Sequence, residues 1–136
     1  MSYEFFLKQL IKYKPFEEIS SNKICILNNV SILNYNNDNK YDFETSDEKK
    51  YEVKADEMSL KTNNFFIEFI GYGKASGVSV SEADYYILTD TNIYYLIDIE
   101  ILKKIIIDKP ILTTKDKSTY GYIVKRSVIS ENSIII

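Results

Sequence analysis

The sequence has 136 residues, of which 45% are hydrophobic and 27% charged, and its formal net charge is −3. These values are ordinary for a globular chain, and the length suits one domain with a core of its own, spanning residues 1–136. The absence of histidine excludes serine–histidine and cysteine–histidine catalysis and histidine-ligated zinc, which leaves carboxylate, lysine and tyrosine chemistry and favours hard cations such as Mg²⁺.

The first half of the chain predicts a helix, two short strands and a charged hairpin. Apolar residues recur at helical spacing over residues 3–12, and Pro15 is expected to end this helix. Residues 24–27 and 30–33 are β-prone and are separated by a turn signal, Asn28-Asn29, and a polar loop follows as far as residue 40. Strands are then expected at residues 41–45 and 51–56, joined by the polar residues 46–50.

The second half alternates strands with short helices. Residues 64–70 predict a strand, residues 71–77 a flexible connector, and Ser79 or Ser81 the cap of a short helix that contains Glu82 and Ala83. The remaining predicted elements are strands at residues 85–89, 93–97 and 120–125, a turn at 90–92, and a helix at 98–107 capped by Asp98. This order predicts an α/β (α+β) protein with a mixed sheet and helices packed on it in one or two layers.

The charged hairpin carries a row of acidic side chains. Because side chains alternate along a strand, Asp42 and Glu44 share one face, and Glu52, Lys54 and Asp56 share one face of the next strand. Two interpretations are open. The row is either a solvated face of an antiparallel pair, or Asp42 and Glu52 converge on one divalent cation with Lys54 pointing to the same place. A cation there would polarise a phosphoryl oxygen and lower the pKa of a bound water.

Asp42 followed by Glu52-Val53-Lys54 resembles the D…ExK signature of the PD-(D/E)xK nuclease superfamily. The resemblance implies a restriction-endonuclease-like fold, with a mixed central β-sheet flanked by helices. It also implies that Asp42 and Glu52 hold Mg²⁺, with Mn²⁺ as a substitute, that the Val53 carbonyl is a further ligand, and that Lys54 assists the attacking water. Later segments are similar to those of small stand-alone phage and prokaryotic members, namely residues 64–68, 76–78 and 82–86.

The sequence departs from the family pattern at one position and leaves several roles open. The proline that usually precedes the first aspartate is replaced by Tyr41. Possible accessory acids are Glu4 on the first helix, Asp56, and Glu68, which interrupts an apolar strand expected to run beside the ExK strand. The residues that could contact DNA phosphates, or could equally be solvated surface charges, are Lys61, Lys74, Lys125 and Arg126.

The resemblance implies a Mg²⁺-dependent DNA endonuclease that hydrolyses phosphodiester bonds by a metal-activated water. Its partner would be duplex or branched DNA, and phage DNA processing and Holliday-junction resolution both fit. A homodimer is plausible, because double-strand or junction cutting needs two active sites. Two alternatives remain open: a non-catalytic DNA- or protein-binding module on the same fold, and a structural β-rich protein whose hairpin is solvated.

Features outside the hairpin indicate the compartment. The single cysteine, Cys25, cannot form an internal disulfide and lies in an apolar run, which fits a reducing environment. The N-terminus lacks the basic and apolar regions of a signal peptide, and the apolar runs are too short to span a bilayer. We therefore expect a cytoplasmic, intracellular protein with no membrane partner, and a virus-infected host cell is one setting that fits.

Overall fold

Two β-sheets flanked by helices make up the fold, which is mixed α/β as expected. The computed structural model describes residues 3–36, 38 and 40–136, with the backbone alone at residues 5–11. The helices are α1 (Tyr3–Asn28), α2 (Ser59–Thr62), α3 (Ile99–Ile106) and α4 (Arg126–Glu131), with a 3₁₀ turn at Gly77–Ser79. The strands are β1 (Ile32–Tyr35), β2 (Phe43–Thr45), β3 (Lys50–Ala55), β4 (Asn64–Gly71), β5 (Lys74–Ala75), β6 (Tyr85–Thr89), β7 (Tyr94–Asp98), β8 (Ile111–Thr113), β9 (Thr119–Lys125) and β10 (Ile134–Ile135).

The larger sheet has six strands in the order β1-β2-β3-β6-β7-β10. The predicted charged hairpin is confirmed as β2 and β3, which pair antiparallel with Phe43 opposite Tyr51. Strand β3 runs parallel to β6, and the other neighbours in this sheet are antiparallel, so the sheet is mixed. The smaller sheet has the order β5-β4-β9-β8 and is wholly antiparallel.

Both faces of the larger sheet are covered. On one face Ile24 of α1 packs with Phe43, Tyr51 and Val53. On the other face Tyr86 packs with side chains of the smaller sheet and of α3, in a cluster that includes Phe65, Ile67, Leu102 and Val124. Strands β6 and β7 are buried from both sides, which explains why their sequences are apolar almost without alternation.

Helix α1 does not end at Pro15, and the predicted strand at residues 24–27 is helical. A proline inside a helix removes one hydrogen bond and crowds the preceding turn. The last turns of α1 compensate by burial, since Ile24 is fully buried whereas Ile26 is 83% exposed. Asn29 then adopts φ 53°, so the predicted turn at Asn28-Asn29 ends a helix and does not join two strands. Within the described part of the chain, no helix is long and apolar enough to cross a bilayer.

The connector at residues 71–77 is an ordered hairpin. Tyr72 and Gly73 have φ of 52° and 75°, as in the two-residue turns that suit the twist of a hairpin, and they join β4 to β5. Gly77 also has φ 52°, and a Cβ there would lie 2.2 Å from the backbone oxygen of Glu68. Only glycine therefore fits at this position, where the chain folds back over β4.

The remaining predictions are partly confirmed. Strands β6 and β7 and the cap of α3 are as expected: the Asp98 carboxylate accepts hydrogen bonds from the N–H groups of Glu100 and Ile101 at 2.8 and 3.3 Å. The short helix expected at Ser79 or Ser81 is wrong, because residues 80–84 are not helical. The Ser81 hydroxyl instead accepts from the Ala83 N–H and so closes a local turn.

Candidate functional site

Asp42 lies where β2 leaves the edge of β3. Strands β2 and β3 pair at Phe43–Tyr51 and Glu44–Lys50, so the next pair in the same register is Asp42 and Glu52. The Asp42 N–H donates to the Tyr51 carbonyl at 2.8 Å, and the Val53 N–H donates to the Asp42 carboxylate at 2.6 Å. The carboxylate thus takes the place of the missing strand partner and is held at the edge of β3, beside Glu52.

Glu52 and Lys54 form an ion pair on one face of β3. The Lys54 Nζ lies 3.4 Å from the Glu52 Oε1, and the Lys54 side chain is 43% exposed whereas that of Glu52 is only 9% exposed. The second carboxylate oxygen, Glu52 Oε2, is buried and has no hydrogen-bond partner among the described residues. The solvated-face interpretation is therefore wrong for Glu52, because a solvated carboxylate would have both oxygens in water.

These side chains line one cavity of about 370 Å³. It lies between α1 and the edge of β3, and the sequence places acidic, basic and aromatic groups around it. The lining residues are Tyr13, Phe16, Glu17, Asp42, Glu52, Val53, Lys54 and Ala55. The structure thus brings together Asp42, Glu52 and Lys54, the three residues proposed from the sequence as the centre of the site, and adds Glu17 from α1.

The carboxyl groups of the cavity strongly affect one another. Burial raises the pKa of Glu52 to about 8, with the Lys54 ammonium opposing and the Asp42 carboxylate reinforcing the shift. Burial, followed by the charge of Asp42, raises the pKa of Glu17 to about 7. Burial also raises the pKa of Asp42, although the Val53 N–H and Lys54 act in the opposite direction. The cluster therefore retains protons at neutral pH unless another positive charge enters the cavity.

Lys54 is a cation at neutral pH. Burial alone would lower the pKa of its ammonium group, but the carboxylates of Glu52 and Asp42 and the nearby Tyr86 outweigh burial, and the net shift is upward. A protonated lysine cannot accept a proton, so Lys54 is suited to stabilising negative charge and to holding a water by donation, not to acting as a general base.

The helix-borne acid in the cavity is Glu17, which the sequence reasoning missed. The candidate named from the sequence, Glu4, lies in the exposed first turn of α1 and outside the cavity lining. Glu17 was overlooked because the helix was expected to end at Pro15. The sequence feature that could have identified Glu17 is the helical spacing of Tyr13, Glu17 and Ile24. This spacing continues past Pro15 and marks the face of α1 that packs on the larger sheet.

The other two acids proposed as accessory groups lie outside the cavity lining. The Asp56 carboxylate accepts the N–H of Phe66 at 3.0 Å, which ties the end of β3 to the beginning of β4. Glu68 lies on β4, which belongs to the smaller sheet and pairs with β5 and β9, but its charge still reaches Lys54 and helps to raise the pKa of that ammonium group. The expectation that the strand carrying Glu68 runs beside the ExK strand is therefore wrong, because β6 occupies that place.

Of the four basic residues considered as DNA contacts, Arg126 is engaged within the fold. Its guanidinium donates to Asp90 at 2.7 Å, to Asn63 at 2.9 Å and to the Ser59 carbonyl at 3.0 Å, and it lies over the rings of Phe65 and Tyr95. Arg126 therefore joins the two sheets and is not available to bind a phosphate. The side chains that are exposed are those of Lys61, Lys74 and Lys125.

The donor set of the cavity consists of oxygen atoms, which Mg²⁺ and Mn²⁺ prefer. Over residues 3–36, 38 and 40–136, no group of three or more Asp, Glu or Cys side chains is arranged to hold a metal ion. The structure thus offers Asp42 and Glu52 as neighbouring carboxylates, with Glu17 on another wall of the same cavity. Comparisons with protein-family models, with curated proteins and with solved structures found no match to this chain.

Proposed function

We propose that the chain is a Mg²⁺-dependent DNA endonuclease of the PD-(D/E)xK superfamily, with a restriction-endonuclease-like fold. The observation that carries the proposal is Glu52: a buried carboxylate beside Asp42, bound at one oxygen by Lys54 and without a partner at the other. A buried polar group without a partner destabilises a fold. Its presence in a cavity is most simply understood if a ligand completes its bonding.

The topology supports the fold assignment. Asp42 precedes β2, and Glu52 and Lys54 lie on the adjacent β3 within a mixed sheet. Helix α1 covers one face of that sheet and contributes Glu17 to the cavity. This is the order of elements and acids that the resemblance to the superfamily implies for a helix, an aspartate-bearing strand and an ExK strand.

The residues present fit a Mg²⁺ ion. Asp42 and Glu52 would hold it through carboxylate oxygens, and the Val53 carbonyl points to the same edge of β3 as the Val53 N–H, which is bonded to Asp42. Proteins commonly bind Mg²⁺ through one or two carboxylates, and water and phosphate oxygens complete the shell. When bound, the cation would supply positive charge to a phosphate oxygen and increase the acidity of a water.

The remaining side chains would orient the substrate. The Lys54 ammonium, fixed by Glu52 and still partly exposed, would donate to a phosphodiester oxygen and offset the charge that develops during hydrolysis. Glu17, with a pKa of about 7, exchanges a proton readily near neutral pH and is a candidate acceptor for the proton that the attacking water loses.

The substrate of the proposed endonuclease is DNA, either duplex or branched. Because one chain contributes one such cavity, a homodimer would supply the two sites needed to cut both strands of a duplex or the two opposed strands of a junction. The products distinguish the cases: a dimer linearises supercoiled plasmid in one binding event, whereas a monomer accumulates nicked circles first.

Cleavage of supercoiled plasmid and of a four-way junction, with Mg²⁺ or Mn²⁺ and with EDTA as the control, tests the proposal. Asp42→Asn and Glu52→Gln should each lower the cleavage rate at least about 100-fold. Glu44→Gln is the matched control, because Glu44 lies on β2 two residues from Asp42 but bonds to Asn34 outside the cavity. It should cleave like the wild type.

Two results would contradict the proposal. One is the absence of cleavage by the wild type with either metal on both substrates. The other is activity that survives both Asp42→Asn and Glu52→Gln, since that activity would arise elsewhere. Binding of DNA without cleavage would support the alternative of a non-catalytic DNA-binding module.

A further inference from the structure

Tyr86 is the neighbour of Glu52 across the parallel pair of strands. The Cα partners in the β3–β6 ladder are Glu52 and Tyr86, and Lys54 is paired with Leu88 two residues further on. Paired residues in neighbouring strands have their side chains on the same face, at a strand spacing of about 5 Å. The phenol of Tyr86 therefore lies alongside the carboxylate of Glu52 and the stem of Lys54.

Glu52 and Tyr86 each carry a buried polar atom without a partner. Tyr86 is 1% exposed, and neither its hydroxyl nor the Glu52 Oε2 makes a hydrogen bond within the described chain. The two atoms are complementary, because a carboxyl oxygen accepts hydrogen bonds whereas a phenol can donate one. Two unsatisfied groups on paired residues of the same face are therefore each other's natural partners.

The other polar groups near Tyr86 do not provide an acceptor for the proton of its hydroxyl. The Ser81 hydroxyl lies within hydrogen-bonding reach of Tyr86 and lowers the pKa of the phenol, as a donor to the phenol oxygen does, so it does not use the phenol proton; its other contacts are the Lys40 carbonyl, to which it donates, and the Ala83 N–H, from which it accepts. The Lys54 ammonium is a donor and cannot accept a bond from a phenol. Glu52 Oε2 is the buried acceptor on the residue paired with Tyr86 that has no hydrogen-bond partner within the described chain, and the Asp42 carboxyl competes for the same group.

We propose that Tyr86 is a positioning residue of the site, whose hydroxyl donates to Glu52 Oε2 while Lys54 holds Glu52 Oε1. The carboxylate is then fixed from both sides, with its remaining lone pairs directed into the cavity. A carboxylate oxygen can accept a hydrogen bond and bind a cation at the same time, and carboxylates that bind metals are commonly oriented in this way. The role in metal binding rests on the proposed function, whereas the contact itself does not.

The contact is tested without metal by a double-mutant cycle of Tyr86→Phe and Glu52→Met. Melting temperatures of the wild type, both single variants and the double variant are measured in EDTA at one fixed pH and ionic strength. If the hydroxyl bonds to Glu52, Tyr86→Phe lowers Tm by about 5 °C in the wild-type background and by less than about 1 °C beside Glu52→Met. If the two groups do not interact, removal of an unpaired buried hydroxyl leaves Tm unchanged or raises it in both backgrounds, which overturns the proposal.

Tyr51→Phe is the matched control. Tyr51 is as buried as Tyr86 and adjoins Glu52 in β3, but its ring packs on the opposite face of the sheet, where its hydroxyl accepts from Asn28. Its effect on Tm should be the same with glutamate or methionine at position 52. A coupling as large as that of Tyr86 would show that the cycle reports general loosening of the strand, and the proposal would fall.

A second readout separates positioning from the proposed function. Calorimetric titration with Mn²⁺ should show that Tyr86→Phe weakens binding by at least about tenfold, and cleavage assays should show a lower kcat with an unchanged KM for DNA. Unchanged Mn²⁺ affinity in Tyr86→Phe would overturn the positioning role even if the cycle shows coupling. If the wild type neither binds Mn²⁺ nor cleaves DNA, the proposed function fails, and the cycle still decides whether Tyr86 holds Glu52.

Discussion

Glu52→Gln should stabilise the metal-free protein at alkaline pH. Burial raises the pKa of Glu52 to about 8 from an ordinary 4.5, so between these values the folded chain keeps a proton that the unfolded chain has released. The folded state then binds more protons, and its stability falls as the pH rises through this window. Below about pH 4.5 both states are protonated and the penalty is absent, whereas above about pH 8 it is complete.

The size of the effect follows from the pKa difference. A change from 4.5 to about 8 corresponds to at most about 5 kcal/mol of lost stability. Glu17 and Asp42 share the same cavity and the same protons, so replacing one acid recovers only part of this, roughly 2 kcal/mol. For a domain of this length, that corresponds to a rise of about 6 °C in Tm.

Thermal melts of wild type and Glu52→Gln in EDTA, at matched ionic strength from about pH 5 to pH 9, measure the effect. The two curves should lie close together at pH 5, and the variant should melt about 6 °C higher at pH 9. Glu44→Gln serves as the control, because Glu44 lies outside the cavity and its removal should leave the pH dependence of the wild type intact. The reasoning is refuted if Glu52→Gln melts lower than the wild type at pH 9, or if the difference between them does not change with pH.

Three further outcomes are expected from the same site. Mg²⁺ at 100 times its dissociation constant should stabilise the wild type by about 2.7 kcal/mol. Asp42→Asn should melt no lower than the wild type in EDTA, because its amide oxygen can still accept from the Val53 N–H, and it should lose most of the stabilisation by Mg²⁺. A wild-type melting curve that does not change with Mg²⁺ would contradict the metal site. Lys54→Ala should abolish cleavage while Mn²⁺ binding, measured by calorimetry, stays largely intact, because Lys54 acts on water and phosphate; an equal loss of metal affinity would show that its role is wrongly assigned. Glu17→Gln should slow cleavage by at least about tenfold whereas Glu4→Gln should not change the rate, and the reverse result would restore Glu4 as the helix-borne acid.

The hairpin and its residues were predictable because their signal is local. A strict alternation over Asp42–Thr45 and Tyr51–Ala55 with a polar loop between them fixes both the strands and the register, and the register alone places Asp42 opposite Glu52. The Asp98 cap was predictable for the same reason, since a cap depends on the residues that directly follow it.

The errors arose where distant parts of the chain decide the structure. Pro15 opposes a helix locally, but the burial of Ile24 against the larger sheet outweighs it, and with the helix Glu17 enters the cavity. The placement of β4 failed for another reason. Periodicity shows that residues 64–70 form a strand, but it does not say whether the neighbour is β3 or the distant β9, which pairs with β4 along nearly its whole length.

The location of the cavity follows from the point at which β2 ends. A strand that loses its neighbour leaves an N–H and a carbonyl exposed at its edge, and at β3 these belong to Val53. The Asp42 carboxylate satisfies the N–H, which also brings a second negative charge beside the buried Glu52. Because the Asp42 side chain replaces a neighbouring strand at the edge of β3, it both destabilises the ionised Glu52 by charge repulsion and lines the cavity with carboxylate oxygens. A divalent cation would remove that destabilisation, and this is why the stability of the metal-free protein and the metal dependence of its activity should respond to the same substitutions.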